Sequence, residues 1–150
     1  RLDAKGQLHG EDIDPGIGLC YNNIAELSAR LGHTIESLKF IIYGLKINLA
    51  YFNDTSAMKI NECCSGDLGK TLENLMEFSR KDHVFLAHSF TVAGKTLSEL
   101  KTFCGRDTSL LSERCLQTAL RMRERIYKDH AHEHHLLRDS HVNLSRMYTS

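Results

Sequence analysis

The sequence predicts an all-α protein: antiparallel helix pairs stacked side by side, about three pairs plus one further helix. Three observations predict it. A Leu-Gly unit followed by a helix start recurs along the chain, apolar residues fall at helical spacing between those starts, and 150 residues contain a single proline. Proline removes a backbone donor and breaks helix interiors, so its scarcity favours uninterrupted helices.

The first helix is expected over 15–30, with Pro15 in its first turn, where a missing N–H costs nothing. Its stripe Leu19, Ile24 and Leu27 is expected to be buried. Leu31-Gly32 makes the turn. A second helix over 34–51 starts with Thr34 near its cap and buries Ile35, Leu38, Ile41, Ile42 and Leu45. Segment 54–65 carries Asn61, Cys63, Cys64 and Ser65, all poor helix formers, so a short or distorted helix is expected there. Leu31-Gly32-His33-Thr34-Ile35-Glu36-Ser37-Leu38 then returns as Leu68-Gly69-Lys70-Thr71-Leu72-Glu73-Asn74-Leu75. The echo predicts another Leu-Gly break and a helix over 70–80. Helices over 83–103, 109–128 and 131–148 complete the count. The sixth opens on a looser copy, Leu110-Leu111-Ser112-Glu113-Arg114-Cys115-Leu116. Residues 1–13, with Gly6, Gly10 and few apolar side chains, form an irregular leading segment expected to fray. The repeat domain spans 14–150.

Composition narrows the function classes. Lysine plus arginine and aspartate plus glutamate both total 19, so no global field points to nucleic acid, a membrane surface or a polyanionic substrate. Cys20, Cys63, Cys64, Cys104 and Cys115 form an odd set without CxxC spacing, which suggests reduced thiols rather than disulfides or a zinc knuckle. A cytoplasmic location is the corresponding expectation. Phe40-Ile41-Ile42-Tyr43 is soon broken by Gly44 and Lys46, far short of the roughly 18 apolar residues of a membrane span. The chain begins at Arg1 without an initiator methionine, as a piece of a longer protein would.

Pro15-Gly16-Ile17-Gly18-Leu19-Cys20-Tyr21-Asn22-Asn23-Ile24-Ala25-Glu26-Leu27, followed by Leu31-Gly32 and Gly44-Leu45-Lys46-Ile47, resembles one repeat of the kinesin light chain type of tetratricopeptide protein. Lys81-Asp82-His83-Val84-Phe85-Leu86-Ala87 resembles that family's linker, with Val84 where proline is usual. Ala119 to His130 resembles a second-helix end with another linker, and Asn143-Leu144-Ser145-Arg146-Met147-Tyr148 the opening of a further repeat. Between them the pattern diverges: 54–65 lacks Asn-Asn-Leu-Ala, and 83–103 has Thr91-Val92-Ala93-Gly94 in its place. The resemblance implies a right-handed tetratricopeptide superhelix whose first helices line a concave groove. By that analogy the groove carries Asn22, Asn23, Glu26 and Arg30, then Thr91 and Lys95, then Asn143 and Arg146. A carboxamide donates to and accepts from a peptide backbone at once, which suits a module that holds a peptide or a partner helix. Neither catalysis nor a cofactor is expected of such a scaffold or adaptor. The incomplete last repeat leaves an uncapped face suited to self-association.

Other motifs carry weaker chemistry. In His130-Ala131-His132-Glu133-His134-His135, spacings of three and four can serve a metal such as zinc, while a solvated linker at a helix start is the plainer reading. The alternative function is a metal-binding helical enzyme using this cluster at 130–135 with Asp139; it needs ligands from a second helix. Cys63-Cys64 bridges only with strained geometry, so buried packing is expected. Arg121-Met122-Arg123-Glu124-Arg125 and Lys128 are diluted by acids and lack interleaved aromatics for base stacking. Gly66-Asp67-Leu68-Gly69-Lys70-Thr71 ends like a phosphate loop, but Cys64 stands where the first glycine belongs.

Overall fold

The computed structural model describes residues 7–10, 13–100, 102–103, 106–128 and 135–149. These are helical almost throughout: α1 Pro15–Arg30, α2 Thr34–Phe52, α3 Ala57–Glu62, α4 Leu68–Phe78, α5 Val84–Leu100, α6 Ser109–Tyr127 and α7 His135–Thr149. A two-residue antiparallel ladder, β1 Thr102–Phe103 and β2 Arg106–Asp107, precedes α6. Two compact units contain these elements, residues 1–81 and 82–150.

In the first unit, Asp14 starts α1: its Oδ1 accepts the Gly16 N–H at 2.8 Å while Pro15 occupies the first helical position. The helix ends in a Schellman turn. The His33 N–H returns to the Ser28 carbonyl and the Gly32 N–H to Ala29, with Gly32 at φ 84°. The Leu-Gly echo does not repeat this geometry. Asp67 accepts the Gly69 and Lys70 N–H groups, so Leu68-Gly69 forms the first turn of α4 rather than a break before it. A side-chain cap upstream of the echo moved the helix start.

Helix α2 is the centre of this unit, with Leu38, Ile41, Ile42, Leu45, Ile47 and Leu49 buried. Around it pack α1, α3 and α4. The face α1 offers to α2 is Gly18, Asn22 and Ala25, not the expected Leu19, Ile24 and Leu27. Ile24 is 43% exposed, Leu27 57%, and Leu19 only half-buried; Ile35 in α2 is also exposed. The reason is close approach. A Cβ on Gly44 would stand 2.9 Å from the Gly18 carbonyl oxygen, and one on Gly18 would overlap the Asn48 amide. Tyr21 stacks on Phe40 and meets Tyr43 edge-on along one side of the same pair.

The leading segment is anchored rather than frayed at Leu8, whose side chain is buried. Segment 54–65 contributes only the short α3, started by the Ser56 hydroxyl accepting the Lys59 N–H and held by buried Ile60.

In the second unit, α5 packs on α6 and α6 on α7, burying Leu86, Phe90, Leu97, Leu116, Met122 and Leu144. The expected helix over 83–103 stops at Leu100. The Thr108 hydroxyl donates to the Leu97 carbonyl at 2.7 Å, satisfying one of the last four carbonyls, which no helical N–H reaches. Beyond it, β-branched Thr102 and aromatic Phe103 pair as strand. Ser112 donates to the Gly94 carbonyl at 2.7 Å, where a Cβ on Gly94 would overlap Leu116 of α6. Arg125 grips Asp82 through two bonds of 2.6 and 2.7 Å, anchoring the segment before α5.

Candidate functional site

The site begins with a loop that α4 holds from beneath. Asn74 donates its amide to the Cys63 carbonyl at 3.0 Å. The Thr71 hydroxyl accepts the Ser65 N–H at 2.8 Å and donates to the Ser65 carbonyl at 3.2 Å. These bonds fix the chain leaving α3, and buried Ile60 fixes the helix itself. Asn61, next to Ile60, is thereby presented in one orientation.

What Asn61 does with it is hold another stretch of backbone. Its Oδ1 accepts the Leu8 N–H at 2.8 Å and its Nδ2 donates to the Leu8 carbonyl at 2.8 Å. One side chain thus satisfies both backbone groups of one residue, as a neighbouring strand would. Leu8 is 2% exposed, while Gln7, His9 and Gly10 on either side are exposed. The arrangement reads one peptide unit through its backbone and one apolar side chain through burial. No local pattern announces it. Leu8 and Asn61 lie far apart in the chain, and Asn61 stood out only as a poor helix former.

Of the expected groove residues, Asn23 and Arg30 are exposed and Glu26 half-buried, all on one side of α1; Lys95 and Arg146 are exposed on α5 and α7. Three others are interior. Asn22 is fully buried between α1 and α2, where its Oδ1 would meet a Cβ on Gly44 at 2.9 Å. Thr91 is buried with its hydroxyl donating to the Ala87 carbonyl of the preceding turn, and Asn143 is buried on α7. These three are withdrawn from any surface a partner can reach. Periodicity places them on a helix face but does not say which neighbour closes over that face.

The remaining motifs separate as follows. His130, His132, Glu133 and His134 lie outside the described residues, as does Cys104; the side chains of His135 and Asp139 are likewise not described. Among the described residues no three His, Cys, Asp or Glu side chains gather as a metal site would require. Cys64 is exposed and Cys63 half-buried, so the expected buried packing of this pair is not found; α3 ends at Glu62 and leaves both on the exit loop. Burial pushes the Cys63 thiol up, aided by Cys64 and Glu62 and opposed by Lys46, which disfavours the reactive thiolate. Of the basic strip, Arg123 is buried with its guanidinium on the Ser140 hydroxyl at 2.6 Å, and Arg125 is engaged by Asp82. Lys70 and Thr71 belong to the first turn of α4. Among the described residues no helix is long and apolar enough to cross a membrane.

Comparison with protein-family models, with curated proteins and with solved structures gives no match to this chain.

Proposed function

We propose that this chain is a protein-interaction module of the tetratricopeptide type, a scaffold or adaptor that holds an extended, leucine-bearing peptide segment. The observation that carries the reading is the Asn61 amide closed on both backbone groups of Leu8, with the leucine side chain buried beneath. Residues 7–10 occupy the place such a peptide takes. The polar side of α1, with exposed Asn23 and Arg30 and half-buried Glu26, offers further contacts of the adaptable kind that peptide recognition uses. The first unit suits the role, because α4 and buried Ile60 hold Asn61 in place, so a short segment docks without reordering its surroundings.

The test vacates the site within the full chain. Leu8→Ser removes the apolar anchor, and a fluorescent peptide carrying residues 5–14 is then titrated by polarisation. Binding is expected in the Leu8→Ser chain and weaker in the unaltered chain, whose own segment competes. Adding Asn61→Ala removes two hydrogen bonds at about 1 kcal/mol each, a loss of at least tenfold in affinity. Equal binding with and without Asn61 would remove the amide from the reading.

A further inference from the structure

Two adjacent thiols leave α3 directly behind Asn61, and the peptide between them is held at both ends. The Cys63 carbonyl accepts the Asn74 amide at 3.0 Å, and the Cys64 N–H donates to the Asn61 carbonyl at 3.1 Å. Cys63 keeps helical backbone angles, φ −74° and ψ −15°, with its N–H on the Ile60 carbonyl and its thiol donating back to the Lys59 carbonyl. The side chain that clasps Leu8 and both thiols therefore share one short turn. A disulfide between neighbours does not fit that turn. Adjacent α-carbons stand about 3.8 Å apart across a trans peptide, short of the ~4.4 Å at which relaxed disulfides begin. Closing the bridge twists the intervening peptide, and the bonds to Asn74 and to the Asn61 carbonyl are the first to go. A helix of six residues has few others with which to keep its last turn.

We propose that Cys63 and Cys64 are an oxidation site, and that the disulfide a hydroperoxide forms there loosens the Asn61 clasp on Leu8 and lowers the affinity of this site for any segment it holds. Its use in regulation rests on the peptide-holding function; the loosening of Leu8 does not. Cys64 is exposed and meets the oxidant first. Its thiolate attacks the terminal oxygen of the hydroperoxide, the O–O bond breaks, and an alcohol leaves, or water when the oxidant is hydrogen peroxide. The Cys63 thiol then attacks the sulfenic sulfur: the S–S bond forms, the S–O bond breaks, and water departs with the Cys63 proton. Two thiols lose two electrons and two protons, and the hydroperoxide takes them up. Burial pushes the Cys63 thiol up, so it serves as the second partner, whose attack is helped by adjacency rather than by thiolate character.

Hydrogen peroxide is added to the full unaltered chain and to Cys64→Ser, and two quantities are read. After cleavage at lysine, the Ile60–Lys70 peptide, which holds both thiols and no methionine, is expected to have lost two hydrogens and to regain them with dithiothreitol. Amide exchange at Leu8 is expected to quicken about tenfold in the bridged chain, the weight of one to two hydrogen bonds, and to stay unchanged in Cys64→Ser. The same oxidation of the Leu8→Ser chain is expected to weaken its hold on the fluorescent peptide by a similar factor. Absence of peptide binding in the reduced Leu8→Ser chain would end the peptide-holding function, and exchange at Leu8 would still decide the switch. A bridged chain with unchanged exchange at Leu8, oxygen gained where hydrogen should be lost, or an equal response in Cys64→Ser would each overturn the proposal.

Discussion

The pair α1/α2 in the first unit and the pair α5/α6 in the second both close through glycine, and what fills the space differs. Between α1 and α2, Gly18 makes room for the Asn48 amide, which is fully buried and whose two polar atoms have no hydrogen-bond partner. Between α5 and α6, Gly94 makes room for the Leu116 side chain, and the neighbouring Ser112 hydroxyl is bonded to the Gly94 carbonyl. Glycine permits close approach equally in both. The second pair fills its space with hydrocarbon and a satisfied donor, which adds stability. The first accommodates a desolvated amide, which costs stability while matching the shape.

The sharpest test compares the glycines. Gly44→Ala drives a methyl against the Gly18 backbone and Tyr21, so the helices must separate. A loss of about 1–3 kcal/mol is expected, read as a fall in the thermal midpoint. Gly94→Ala meets a side chain, Leu116, before any backbone, and Leu116 can shift, so its fall is smaller; the gain of about 1 kcal/mol in helix propensity is common to both. The opposite order would break the comparison. A finer test removes the polar partners. Ser112→Ala loses a buried hydrogen bond at about 1 kcal/mol, whereas Asn48→Ala sheds an unpaired amide and stays within about 1 kcal/mol of the unaltered chain. Denaturant midpoints distinguish the two; an equal loss at both sites would mean the Asn48 amide contributes as much as a satisfied bond.

The smallest effect is expected at the start of α5. His83 Nδ1 accepts the Phe85 N–H at 3.1 Å, which only the unprotonated nitrogen can do, and burial lowers its pKa from 6.5. A folded pKa below the unfolded one means the contribution is present above about 6.5 and is lost as pH falls through the lower folded value. Amide exchange at Phe85 is expected to quicken over that acid range, and His83→Gln to flatten the response. No change would show that the imidazole does not cap α5.

Much of the chain's local structure was legible. Pro15, Leu31-Gly32 and the apolar spacing of 35–45 mark the first two helices because turns and helical hydrogen bonds join residues within a few positions. The Leu-Gly echo shows the limit of such reading: identical letters sit after a helix at Gly32 and inside one at Gly69, because Asp67 supplies a cap that the first copy lacks. Of the candidate surface, Asn23 and Arg30 are exposed, while Asn22 is buried.

The sequence by itself determined where helices form and roughly where they stop, since those choices are settled by neighbours along the chain. The tertiary structure decided which faces are covered. The glycines draw α1 and α2 together on their small side, so Asn22 and Asn48 are inside and Ile24, Leu27 and Leu31 outside. It also decided that Leu8 is held by Asn61. Burial depends on which distant segment arrives and how closely, and hydrophobic periodicity names a face without naming its neighbour.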